Sequence, residues 1–274
     1  MPKRKYAAAR LHMLILACVA ILGGLAVFQD SQLYFPDRPP LASVVAEARR
    51  EGLVPWPDAA GYRGLLAEPK APVRGTLLLF HGNAGHAGQR GWYARMLDRQ
   101  GVRVVLAEYP GYGPRAGKLG EVSLVADAAH TLALVRRQFP GPLIVAGESL
   151  GAAVAAAVAR DADAHALLLI TPWDTLKNVA DHHYPWLPVG WLLRDHYDSV
   201  GNLAGYRGRV AVVVAERDSI VPAKFGRALF ATLAEPKRQW TIPAADHNDW
   251  WGRVDDAWWV AVTRFLLGSE ESQP

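Results

Sequence analysis

The sequence predicts a mostly parallel, doubly wound α/β sheet, and three observations carry that prediction. Apolar runs at 76–80, 102–108, 143–146, 166–170 and 210–215 are short and nearly continuous, with a shorter sixth at 238–242. Continuity over such lengths, in place of alternation, marks strands covered on both faces by helices. Helix-like stretches near 89–100, 121–138, 150–160, 223–233 and 252–267 fall between and after these runs. Most joints are short and rich in Gly, Pro and Asp, so strand and helix alternate. Ligands of such sheets sit beyond the carboxyl ends of the strands, which directs the search for chemistry to the loops that follow them.

The chain of 274 residues is 51% hydrophobic and 20% charged, enough for one domain with a large core plus a membrane segment. Its net charge of +4 is local: Lys3, Arg4, Lys5 and Arg10 supply four positive charges, so the remainder sums to zero (4 − 4 = 0). No other basic run occurs, and a nucleic-acid partner is not expected. The single cysteine, Cys18, excludes an intrachain disulfide.

Residues 11–29 (LHMLILACVAILGGLAVFQ) carry no charge and lie between the basic cluster and Asp30. As a helix they would span about 28 Å, close to the roughly 30 Å of a bilayer's hydrocarbon core. They read as a single-pass anchor, with residues 1–10 a cytoplasmic tail and residues 30–274 across the membrane. A cleaved signal would need a small-x-small site, which the end of the run lacks. A lipoprotein signal at Cys18 would place the bulky Leu16 at a small-residue position. Abundant Ala and an excess of Arg over Lys suit a GC-rich bacterial gene, so the expectation is an inner-membrane protein with a periplasmic catalytic domain. Residues 30–61 then read as a proline-rich linker and entry segment, with a short helix at 41–51 and a break at Pro55–Pro57. The catalytic domain is expected over 62–270.

The run 143–146 leads into Gly147-Glu148-Ser149-Leu150-Gly151, and an Ala-rich helix follows. A strand-to-helix turn this tight has no room for side chains two residues either side of the serine, which itself adopts a strained conformation. The strain lifts the Ser149 hydroxyl above the sheet, at a helix N-terminus whose field favours a developing oxyanion. A helix-capping serine in a Gly-bounded turn is the bland alternative.

A serine needs a base, and the base needs an orienting carboxylate, in the chain order Ser, acid, His for this architecture. Asp218 lies just past the strand 210–215 and is followed by Val221-Pro222. It is favoured over Glu216 and Asp174. His247 follows the last strand and is the only histidine downstream of Asp218. The glycine-rich loop His81-Gly82-Asn83-Ala84-Gly85-His86 is placed to donate to an oxyanion through Asn83, or alternatively Ala84, with Leu150 as the second donor. His81 and His86, like Asp181-His182-His183, lack the accompanying ligands of a zinc site, so no metal or cofactor is expected.

These pieces, together with Tyr109-Pro110-Gly111-Tyr112-Gly113 and His247-Asn248-Asp249, resemble the α/β-hydrolase family from residue 62 to the C-terminus. Within it the pattern is similar to small, N-terminally anchored hydrolases related to fungal bud-emergence proteins and eukaryotic protein depalmitoylases. The resemblance implies a Ser149–His247–Asp218 triad with Asn83 and Leu150 as the oxyanion hole. The chain departs from the pattern at Pro114, at Ala244-Ala245-Asp246 where glycines are common, and at Glu148 where a basic or polar residue is usual.

About forty residues separate Ile170 from Val210. In this fold they would form a small cap, about 173–205, whose Trp173, Trp186 and Trp191 are the candidate acyl-binding residues. The expected activity is hydrolysis of a small acyl ester or thioester beside a membrane. Acyl transfer, peptide hydrolysis and a non-catalytic anchored scaffold are the alternatives.

Overall fold

The computed structural model describes residues 29–159, 164–187 and 189–269, together with Met13, Gly23 and Gly24. Among these no helix is long and apolar enough to cross a membrane. The stretch 11–29 expected to do so lies almost entirely outside the described residues.

Ten strands are present among the described residues: β1 (Phe35–Pro36), β2 (Val54–Trp56), β3 (Gly64–Ala67), β4 (Gly75–Phe80), β5 (Ala84–Gly85), β6 (Val102–Ala107), β7 (Leu143–Glu148), β8 (Ala166–Ile170), β9 (Arg209–Ala215) and β10 (Lys237–Ile242). Eight form one sheet in the order β10-β9-β8-β7-β4-β6-β3-β2. From β10 to β6 every pairing is parallel, and only β3 and β2 run antiparallel to their neighbours. All six expected runs are strands of this sheet, and every residue of β4, β7 and β8 is buried.

Burial on both faces explains their unbroken apolar character. One face carries the helices Glu121–Gln138, Leu150–Ala159 and Ala223–Thr232, and the other carries Leu41–Arg50, Trp92–Asp98 and Asp256–Leu267. The helix Leu150–Ala159 consists largely of alanine, and nine of its ten residues are buried. Side chains that small let it settle close against the central strands, which seats its N-terminus at the top of β7.

Two readings of the entry region need correction. The break expected at Pro55–Pro57 is instead the edge strand β2, with Pro55 opposite Leu65. An edge strand leaves alternate N–H groups pointing away from the ladder, so a proline is tolerated there. The supposed linker also contains β1, which pairs in parallel with β5 of the glycine-rich loop. Residues 35–36 and 54–56 are thus paired with strands that follow residue 62.

Candidate active site

The Gly147–Gly151 turn owes its glycines to backbone, not to flexibility. A Cβ on Gly147 would stand 2.0 Å from the Gly151 carbonyl oxygen, and one on Gly151 would stand 2.0 Å from the oxygen of Phe80 and 2.6 Å from that of His81. Ser149, between them, has φ 52°, a left-handed conformation costly for a residue with a Cβ. Its amide donates to the Ile170 carbonyl at 2.9 Å, pinning the strained residue to the end of β8. Gly151→Ala is expected to destabilise the fold by about 1–3 kcal/mol through overpacking. A fall in Tm of about 2–12 °C by thermal unfolding would bear this out for a domain of this size.

His247 and Asp218 are brought together across 29 residues of sequence: His247 Nδ1 donates to Asp218 Oδ2 at 2.7 Å. An ionised carboxylate can only accept, so the ring carries its proton on Nδ1 and leaves Nε2 able to take one. The other carboxylate oxygen accepts from the Ile220 amide at 3.0 Å and the Val221 amide at 2.6 Å. That is the physical content of the Asp-x-x-Val-Pro pattern, since the turn fixes the carboxylate's orientation. The rival carboxylates are occupied elsewhere. Glu216 accepts from the Ala244 amide at 2.7 Å, and Asp174 accepts from the Thr175 amide and the Asn178 side chain, both at 2.7 Å.

Asp246 braces the His247 loop. Its carboxylate accepts from the Ser219 amide (2.8 Å), the Ser219 hydroxyl (2.9 Å) and the His247 amide (2.7 Å), tying the acid loop to the histidine loop. These donors, the Ser219 amide first, hold the Asp246 carboxyl below its ordinary pKa. Ala244 has φ 54°, a left-handed conformation that glycine adopts without strain. Ala244→Gly is compatible with that conformation and should leave Tm unchanged or raise it.

The His81–His86 loop is built from below. His81 Nδ1 donates to the Gly82 carbonyl at 2.8 Å, while its Nε2 faces Glu108 Oε1 at 3.1 Å. His86 accepts from the Gly88 amide at 3.1 Å and caps a short helical turn. The two histidines thus serve separate structural tasks. From the side, the Asn83 carbonyl accepts from the Phe35 amide at 2.9 Å and from the Tyr112 hydroxyl at 2.8 Å, and the Asn83 side chain donates to Leu33 at 3.0 Å. The two bonds to the carbonyl fix the peptide plane that joins Asn83 to Ala84. At the helix start, the Leu150 N–H lies outside the intrahelical ladder.

A cavity of about 660 Å³ is bordered by Ser149, Leu150, Asn83, His247 and Trp173. The Trp173 indole is buried and donates to the Tyr197 carbonyl at 3.1 Å. Trp186 is 75% exposed and does not border the cavity, and the Trp191 side chain lies outside the described residues. The cap's wall is formed instead by Leu176, Val179, Leu192 and Leu193.

Sequence reasoning missed the opposite wall, supplied by Gln29 at the end of the apolar N-terminal stretch and by Gln32, Leu33 and Phe35 just after it. Gln29 bonds the cap at Leu192 and Arg194, and the Tyr34 hydroxyl bonds Asp195 at 2.5 Å and Tyr197 at 2.9 Å. The one available signal was Tyr34-Phe35-Pro36, whose apolar residues have no reason to sit in an exposed linker.

Sheet order, flanking helices and a strained serine at the strand-to-helix turn together define an enzyme of the α/β-hydrolase type. A family model described as serine aminopeptidase S33 matches residues 71–194. An uncharacterized protein of Mycobacterium tuberculosis, Rv2307c, is 37% identical over 246 residues, covering 86% of this chain and 88% of that one. Protein bem46 of Schizosaccharomyces pombe is 26% identical over 77% of this chain and 73% of its own length. The lysophosphatidylserine lipase ABHD12 of Danio rerio is 29% identical over 59% of this chain, but over only 48% of its own. Among solved structures, a Pyrococcus furiosus esterase, Pf2001, superposes with a TM-score of 0.61 at 15% identity, covering 85% of this chain and 97% of that one, a likeness of fold. The chain belongs to the α/β-hydrolase family and is an enzyme of that family.

Proposed function

We propose that the protein is a membrane-anchored serine esterase that cleaves acyl esters or thioesters through an acyl-enzyme. The observation that carries this reading is the buried His247–Asp218 pair, bonded at 2.7 Å, opening on the same cavity as the strained Ser149. In the mechanism this supports, His247 Nε2 takes the hydroxyl proton as Ser149 Oγ bonds to the acyl carbon. The N–H groups of Asn83 and Leu150 hold the oxyanion. Its collapse breaks the bond to the leaving oxygen or sulfur, which takes the proton from His247. Water, deprotonated by the same ring, then attacks the acyl-enzyme, releasing the acid and restoring Ser149. The aliphatic walls of the 660 Å³ cavity suit an acyl chain.

The proposed anchor, residues 11–29, ends at Gln29, which itself borders that cavity. Phe35, Tyr184 and Ile220 at the same cavity are 51%, 44% and 47% exposed, an apolar rim suited to amphiphilic substrates at a bilayer. On this reading the catalytic domain lies on the periplasmic side of a bacterial inner membrane. Full-length protein is expected to stay in the pellet when membranes are washed at alkaline pH, and its release would remove the anchor.

A peptidase reading draws on the matched family description. Both readings are tested by assaying p-nitrophenyl esters of increasing acyl length beside matched thioesters and anilides, with fluorophosphonate labelling of Ser149. Ester turnover rising with acyl length is the expected result. Exclusive turnover of anilides would favour the peptidase, and neither turnover nor label would end the serine-enzyme reading.

A further inference from the structure

We propose that a second cavity at Ser149, walled by Arg90, Glu148 and three tryptophans, is the leaving-group site and selects a neutral, hydroxyl-rich alcohol. The proposal rests on the serine-esterase reading above and specifies the other half of its substrate.

This cavity, of about 430 Å³, shares Asn83, Ala84, Ser149, His247 and Asn248 with the first. The two therefore meet at the nucleophile. An ester carbonyl carries an acyl arm and an alkoxy arm that diverge from the attacked carbon, so two cavities diverging from one serine match the two arms. The larger has aliphatic walls from the cap and suits the acyl arm. The smaller is lined by Gln89, Arg90, Trp92, Glu148, Asn248 and Trp251, among others.

The charges in the smaller cavity are already matched. Arg90 Nε donates to Glu148 Oε2 at 2.7 Å, and the Tyr93 hydroxyl donates to Glu148 Oε1 at 2.7 Å. One cation and one anion held this close present no net charge, so a free anion gains little there. A guanidinium has five N–H donors, and the Nε–H is the one given to Glu148. Together with the carboxylate and the Gln89 and Asn248 amides, the wall offers donors and acceptors side by side. Hydroxyl groups are the ligand atoms that can use both.

Trp92 adds a flat apolar face. It stacks on buried Tyr93 at a centroid distance of 3.9 Å and faces Trp251 at 5.9 Å and 31°. A polyol presents C–H groups to such a surface while its hydroxyls reach the polar wall. Glu148 stands inside the Gly147–Gly151 turn and buries its carboxylate under Arg90 and Tyr93. The polar wall is thereby held in register with the serine next to it in the chain.

The test compares octanoyl esters that differ only in the alcohol, glycerol against n-propanol, as the ratio of kcat/KM values. For the wild type a ratio of about ten or more is expected, the value of one or two hydrogen bonds to charged groups. The double substitution Arg90→Met with Glu148→Gln removes both charges at once, avoids an unpaired buried ion and keeps an acceptor for Tyr93. It should bring the ratio near one. Trp251→Ala, at a position 54% exposed and safe for folding, should lower the ratio by itself.

A wild-type ratio near one overturns the proposal, as do variants that lower both esters equally and leave the ratio intact. Preference for the octanoyl ester of glycerol phosphate over the glycerol ester would overturn the neutral-alcohol assignment. Fluorophosphonate labelling of Ser149 in each variant separates the failures. A labelled enzyme without alcohol preference defeats this proposal alone, and an unlabelled wild type defeats the esterase reading beneath it.

Discussion

Ser149→Ala is expected to cut ester turnover by about 10⁶-fold in kcat while leaving the fold in place. The residue is 8% exposed and sits at φ 52°, so alanine inherits the same backbone strain and removes only the hydroxyl. The activity left should be the roughly 10³-fold over water that binding and an oxyanion hole supply without a nucleophile. Initial rates with a medium-chain p-nitrophenyl ester, thermal unfolding of both proteins and loss of fluorophosphonate labelling would establish the result together. Turnover within tenfold of wild type at unchanged Tm would place the nucleophile elsewhere.

Asp218→Asn should cost about 10⁴-fold in kcat, for a reason visible in its hydrogen bonds. One oxygen of Asp218 accepts from the amides of Ile220 and Val221 at 3.0 and 2.6 Å, and only an oxygen can stay there. The asparagine amide nitrogen must then take the position facing His247 Nδ1, now 2.7 Å from an oxygen. A donor in that place forces Nδ1 to accept, which moves the ring proton to Nε2 and leaves the ring unable to deprotonate Ser149. Labelling by fluorophosphonate should slow in parallel, with KM altered far less than kcat. A loss confined to KM, or one below about tenfold, would assign the orienting role to another carboxylate.

Both predictions depend on residues that were readable before any coordinates. The inner strands announce themselves because helices on both faces demand continuous apolar runs, and the serine turn because glycines must flank it. Chain order makes Asp218 and His247 the candidates for acid and base. Other parts left no comparable trace. Strands β2 and β3 have three and four residues, too few to show a period, and one contains Pro55. In the segment 29–36 only the three residues Tyr34-Phe35-Pro36 hint at anything but a linker, too short a run to show a period. Trp186, an acyl-binding candidate by its composition, is 75% exposed, because aromatic content cannot say which way a cap residue turns.

The sequence by itself therefore determined the fold class and the Gly147–Gly151 turn, and singled out Asp218 and His247 as candidates, since each is written in local periodicity, in chain order or in steric demands between near neighbours. Only the tertiary structure decided that Phe35 bonds Asn83, that Gln29 closes the cap, and that Arg90 and Tyr93 hold Glu148 against the serine turn. These contacts join residues 48 to 163 positions apart. Such pairs have no local signature, because closing the chain over that distance is stabilised by the whole sheet and not by the pairs themselves.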